Sequence, residues 1–145
     1  MNKIYLILIV FCLAFVGCKD DNPGKEQVQT NKLTKTWYIG SEGHVLVNGQ
    51  DITYDYENFT IRFASNGSDK VYYVTNGYLA FPAAIDTWSF ADQNYESIIR
   101  GVDGIEMQTE FVDNTLTLRF SIPEPNNAKM QGGFGDFEFY LTEYK

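Results

Sequence analysis

Cysteine and histidine, the residues that most often carry catalysis or hold metals, are nearly missing from this chain. Its two cysteines are Cys12 and Cys18, and its single histidine is His44. Because no cysteine follows position 18, thiol catalysis and cysteine-based zinc sites are excluded from the rest of the chain. His44 lies at the start of a strand-like run, where we expect a surface imidazole rather than a general base.

Other catalytic signatures are also missing. The chain contains no Gly-x-Ser-x-Gly sequence and no phosphate-binding glycine loop. Carboxylate pairs stay open, because such residues meet only in the fold. Asp51, Asp55 and Glu57 form the densest acidic group, which could share a calcium ion or simply make a solvated face, the interpretation we favour. We therefore expect a protein that is not an enzyme and uses no metal or cofactor.

Positive charge is in short supply as well. The chain has 11 lysines and arginines against 19 acidic residues, a net charge of −8. No basic stripe is present to neutralise phosphates, which argues against nucleic-acid binding. The acidity by itself indicates solubility.

One long apolar run occurs, at the start of the chain. Lys3 precedes the continuous apolar segment Ile4–Val16, which is too short to span a bilayer, where about 20 residues are needed. This pattern is typical of a secretory signal peptide, Met1–Gly17. Cys12 would leave with the signal, so that Cys18 would have no disulfide partner in the mature chain.

The end of this segment resembles a bacterial lipobox. Phe15-Val16-Gly17-Cys18 places a small residue before a cysteine, and the resemblance implies that Cys18 is lipidated and becomes the first mature residue. The following Lys19-Asp20-Asp21 resembles the surface-export signal of lipoproteins in the Bacteroidota, although a plain solvated tether has the same composition. We expect an outer-membrane lipid anchor, with the domain at the cell surface or facing the periplasm.

The rest of the chain divides into a tether and one domain. Residues 18–32 are polar, include Asn22-Pro23-Gly24, and predict a flexible tether. Residues 33–145 predict an all-β domain. Its clearest signal is Ile105–Ile122, where apolar residues alternate on both sides of Asp113-Asn114, as in a half-buried antiparallel pair.

The alternating runs give about eight to ten short strands without a helical period. Such a sheet must close or double over to hide its edges. Sequential hairpins favour a small antiparallel up-and-down β-barrel, and an immunoglobulin-like β-sandwich is the alternative. Three arginines, Arg62, Arg100 and Arg119, lie in strands next to apolar neighbours and are predicted to face solvent.

The domain also resembles the lipocalin-like domains of Bacteroidota lipoproteins, over about Leu33–Tyr144. The similarity lies in Trp37 at the start of the first strand, in Trp88-Ser89-Phe90-Ala91-Asp92, and in the later strands. It implies that Trp37 plugs the closed end of the barrel, where Arg119 would stack on it. It also implies that the barrel holds a small, apolar ligand.

Two functions remain open from the sequence. A ligand-binding barrel would line its interior with rings such as Tyr73, Trp88, Phe90 and Phe120. An interaction subunit would instead present the aromatic loop Tyr78–Trp88, with Tyr78, Phe81 and Trp88 around Pro82, to an envelope protein or a glycan. A hollow barrel favours the first, whereas a filled barrel with Tyr78 and Phe81 exposed favours the second.

Overall fold

The computed structural model describes residues 24–124 and 133–145. Within them lie one α-helix, one 3-10 helix and ten strands: α1 Lys25–Leu33, β1 Thr36–Tyr38, β2 His44–Val47, β3 Gln50–Asp51, the 3-10 helix Thr53–Tyr56, β4 Thr60–Asn66, β5 Asp69–Thr75, β6 Ile85–Phe90, β7 Ser97–Arg100, β8 Glu106–Val112, β9 Thr115–Ile122 and β10 Gly135–Glu143. The predicted signal peptide, the predicted lipidation site Cys18 and the first part of the tether lie outside the described residues.

Eight of the strands close into an antiparallel barrel. Each strand from β4 to β9 pairs with the next along the chain, and β1 pairs with both β4 and β10. The hairpin β2–β3 is attached to β10 beside β1. Closure leaves no open edge in the eight-stranded ring. The predicted all-β, up-and-down barrel is confirmed, and the sandwich alternative is excluded.

The hairpin β8–β9 forms where the alternation predicts it. Val112 pairs with Thr115, and Phe111 pairs with Leu116, so Asp113 and Asn114 make a two-residue turn. Asp113 has a positive φ of 50°, a conformation that aspartate tolerates better than most residues. The register places Leu116 and the alternate residues after it toward the core, which fixes the two faces of the sheet.

The two ends of the barrel differ in their connections. The connections at residues 67–68, 91–96 and 113–114 join the strands at one end. Helix α1 lies at this end, where Glu26 contacts Lys70 beside the β4–β5 turn at 3.0 Å; we call it the helix end. Further connections lie at the opposite end, which we call the loop end: residues 52–59, 76–84 and 101–105, and the described parts of the β9–β10 connection, 123–124 and 133–134.

The tether prediction is wrong for residues 25–32, which are helical. Gly24 caps the helix without a side-chain hydrogen bond, and the polar sequence has weak helical signals of its own. Packing on the barrel supplies the missing stability. Leu33 is 1% exposed, and its carbonyl accepts a hydrogen bond from the Trp37 indole at 3.0 Å.

Within the described ranges no helix is both long and apolar enough to cross a membrane.

Candidate functional site

A loop side chain fills the interior of the barrel near the loop end. Phe81 belongs to the 76–84 connection, yet it is only 2% exposed. Its ring centroid lies 5.6 Å from those of Phe120 and Phe139 and 5.8 Å from that of Phe59. These separations are typical of packed aromatic rings. The space that a barrel ligand would occupy is therefore taken by the protein itself.

A single helical turn carries Phe81 inward. The amide of Phe81 donates to the carbonyl of Gly77 at 2.8 Å. Glycine is required at the start of this turn, because a Cβ on Gly77 would lie 2.9 Å from the ring of Phe59 and 3.2 Å from that of Phe81. The loop thus enters the barrel only where its backbone can approach the rings closely.

A buried arginine holds this loop in place. Arg100 is 1% exposed, so the prediction that it faces solvent is wrong: it shares its strand parity with the buried Ile98. Its Nη1 donates to the carbonyl of Ala80 at 2.6 Å, while Nε and Nη2 donate to Asp103. The guanidinium lies 5.4 Å from the ring centroid of Phe81. One residue therefore binds the loop by charge, hydrogen bond and cation–π contact.

The four predicted ligand-lining residues do not all face the interior of the barrel. Trp88 and Phe120 point inward and are 3% and 5% exposed, and Phe90 packs against Trp88 with centroids 5.3 Å apart. Tyr73 does not face the interior; it lies on the outer wall under the Arg62 guanidinium, 4.2 Å from it. Its neighbour Tyr72, which is fully buried, is the inward residue. Trp88 and Phe120 are packed against neighbouring rings, Phe63 and Phe81 respectively, and Phe120 also lines the surface depression described below.

Trp37 is buried beside helix α1 at the helix end, where its indole donates to the carbonyl of Leu33, but Arg119 is elsewhere. Trp37 is 1% exposed and packs near Phe111, with centroids 6.0 Å apart. The cation over its ring is Lys35, at 5.8 Å. Arg119 lies on the outer wall, so the predicted stacking of Arg119 on Trp37 is wrong.

Arg119 is the centre of an ionic network on the outside of β8, β9 and β10. It donates to Glu110 at 2.7 Å and to Glu138. The hydroxyl of Tyr140 also donates to Glu138, and this bond, with a smaller contribution from Arg119, lowers the pKa of the Glu138 carboxyl. The half-buried imidazole of His44 stacks on Tyr140, with centroids 4.0 Å apart.

A surface depression of about 690 Å³ runs along this network, with Arg119, Glu138 and Asp136 among its lining residues. Its charged side chains already have partners within the protein: Arg119 donates to Glu138, while Asp136 and Glu106 accept hydrogen bonds from Ser121 and Ser97. Across the described ranges, no three histidine, cysteine or acidic side chains come together as they would to hold a metal ion. Asp51, from the predicted acidic group, accepts hydrogen bonds from the amide and hydroxyl of Thr53, which lower the pKa of its carboxyl.

Exposed apolar side chains collect at the loop end. Among the described residues, five of the eight large hydrophobic side chains that are exposed lie there: Tyr54, Tyr78, Ile85, Val102 and Phe134. Tyr54 is 80% exposed and Tyr78 is 75% exposed. Of the predicted contact patch, Tyr78 is at the surface, whereas Phe81 and Trp88 are buried.

The 76–84 loop connects the other loops at this end. The side chain of Asn76 donates to the carbonyl of Glu57 at 3.1 Å, and the amide of Gly133 donates to the carbonyl of Leu79 at 3.0 Å. The Arg100 bond to Ala80 adds the neighbouring β7–β8 region. We call the joined segments 52–59, 76–84, 101–105 and 133–134 the loop platform.

Sequence reasoning missed Arg100, Tyr54 and Phe134 as parts of this site. Arg100 lies two residues after Ile98 in the same strand, so the two side chains point to the same face of the sheet; this pattern could have predicted that Arg100 is buried. No local pattern marks the two rings, because their exposure depends on how separate loops meet.

Comparison of the chain with protein-family models, with curated proteins and with solved structures finds no match in any of the three.

Proposed function

We propose that this protein is a lipid-anchored, non-catalytic subunit of the bacterial outer membrane that binds a protein partner through its loop platform. The observation that carries the proposal is that the 76–84 loop has one ring buried in the barrel and another exposed at the surface. Phe81 is locked inside the barrel, whereas Tyr78, three residues earlier, is 75% exposed. Phe81 thus fixes the loop that presents Tyr78, which supports a binding surface at the loop end over a binding space in the interior.

The position of the predicted anchor supports the same function. Residues 18–24 join Cys18 to the helix end, and a fully extended chain of this length reaches at most about 25 Å. Lipidation of Cys18 would therefore hold the helix end near the membrane and present the loop end, on the opposite side of the barrel, away from it.

The construction of the platform also favours binding. Its loops are tied by hydrogen bonds and by the ion pair between the buried Arg100 and the solvent-accessible Asp103, so little ordering is required when a partner binds. Exposed tyrosines surrounded by fixed backbone are the residues that most often dominate the binding energy of protein interfaces.

The function can be tested by site-specific photocrosslinking in cells. A photoreactive residue replaces Tyr78 in one variant and Tyr144, which is 64% exposed at the helix end, in the control. We expect a discrete crosslinked species from position 78 and none from position 144. Equal crosslinking at both positions, or none at position 78, would contradict the proposal.

The predicted alternative, a carrier of a small apolar ligand, makes a different prediction. Native mass spectrometry of the purified protein would then detect a bound small molecule that denaturation releases. With Phe81 inside the barrel we expect the mass of the protein alone.

A further inference from the structure

Basic side chains are distributed unequally between the two ends of the barrel, whereas carboxylates lie at both, with Asp69, Asp92 and Asp113 among those at the helix end. The described residues of the loop-end connections carry the carboxylates Asp55, Glu57, Asp103 and Glu124 but contain no lysine or arginine. Asp103 is paired with the buried Arg100. The described lysines lie instead in or beside α1 or next to the helix-end termini of strands: Lys25, Lys32, Lys35, Lys70 and Lys145.

The loop-end carboxylates lie among the exposed rings of the platform. Asp55 follows Tyr54 within the 3-10 helix, and Glu57 belongs to the backbone segment that Asn76 binds beside Tyr78. Asp55 and Tyr78 both lie near the buried Tyr56 hydroxyl; burial raises the pKa of that hydroxyl, and these two groups raise it further. Apolar and acidic groups therefore share one surface.

We propose that the loop platform recognises a basic, apolar segment of its protein partner, one that places lysine or arginine beside aliphatic or aromatic side chains. This inference rests on the proposed function and specifies the chemistry of the partner. Complementary charge steers association and excludes like-charged surfaces, while the rings supply the buried apolar contact. A neutral glycan carries no positive charge for the carboxylates to attract, and an acidic one would be repelled.

The test uses the full lipidated chain in nanodiscs of phosphatidylcholine, with empty nanodiscs as the blank. The probes are two eight-residue peptides, one alternating lysine and leucine and the other alternating glutamate and leucine. We expect the lysine peptide to bind, with an affinity that falls as salt is raised, and the glutamate peptide not to bind.

Variants locate the binding on the platform. Tyr78→Ser should lower the affinity for the lysine peptide about tenfold. The double change Asp55→Asn with Glu57→Gln should lower it several-fold. The matched control, Asp69→Asn with Asp113→Asn, removes two carboxylates from the helix end and should leave the affinity unchanged. All four of these acidic residues are exposed, so the variants are expected to fold; thermal melts confirm this.

The inference fails if the glutamate peptide binds as well as the lysine peptide, if the helix-end control weakens binding equally, or if a neutral glycan binds at Tyr78 while the lysine peptide does not. These outcomes are separate from failure of the proposed function, which is decided by crosslinking at position 78 in cells. A crosslinked partner whose contacted segment is acidic would overturn the inference and leave the function standing.

Discussion

Replacing Phe81 with alanine should destabilise the whole barrel, although Phe81 belongs to a loop. Most substitutions in loops change the free energy of unfolding by less than about 0.5 kcal/mol. Phe81, however, is 2% exposed and packs against four aromatic rings. Truncating a buried phenylalanine to alanine costs about 3–5 kcal/mol, because a cavity remains where the ring was.

That loss is a large part of the stability of a small domain, about 5–15 kcal/mol in total. It corresponds to a fall of about 10–20 °C in Tm for a domain of this size. Urea unfolding followed by tryptophan fluorescence measures it directly, because Trp37 and Trp88 are both buried in the barrel. The matched control is Tyr78→Ala, which removes an exposed ring from the same loop and should cost little.

Phe81→Ala should also increase the local opening of the loop platform. Without Phe81, the amides of Ala80 and Gly133, which bond to the carbonyls of Gly77 and Leu79, should exchange with solvent faster, while the amides of β9 keep their relative protection. A loss of stability no greater than that of Tyr78→Ala would refute the packing described here. Unchanged exchange at Gly133 would refute the role of Phe81 as the anchor of the platform.

Three further predictions follow from single contacts. Asp103→Asn leaves the buried Arg100 without its carboxylate and should lower the free energy of unfolding in urea by about 3 kcal/mol or more. Arg100→Met removes the charge itself and should cost less. The reverse order would contradict the pairing of the two residues. Leu33→Ala should cost about 2–5 kcal/mol, and an effect near zero would mean that α1 does not pack on the barrel. The lowered pKa of Glu138 contributes stability that is present above its ordinary pKa and lost as the pH falls through the folded value. Glu138→Gln should therefore be less stable than the wild type at pH 7, and the gap should narrow as the pH is lowered below the ordinary glutamate value. A gap that does not narrow contradicts the assignment.

Much of the fold could be predicted because it depends on local patterns. The alternation around Asp113-Asn114 predicted the β8–β9 hairpin, and the number of short runs predicted a closed barrel. Helix α1 could not be predicted in this way, since its sequence has no strong cap or apolar face. It is stabilised by the burial of Leu33 and the bond to Trp37, both of which require the finished barrel.

Side-chain direction was predicted well where polar and apolar residues alternate clearly and poorly where they do not. Tyr72 and Tyr73 are adjacent and chemically alike, so that the sequence could not tell the inward ring from the outward one. Arg100 is another failure, because burial of an arginine depends on partners from a different loop. In both cases the deciding contact is distant in sequence.

By itself, the sequence determined an acidic, all-β barrel with alternating faces and a predicted lipid anchor before it, because composition and period-two patterning are local properties. The tertiary structure decided what occupies the barrel and what remains at its surface. The interior is filled because Gly77 lets a loop approach closely enough for Phe81 to enter, and Arg100 then fixes that loop. The exposed rings and carboxylates meet at one end only because four separate connections converge there.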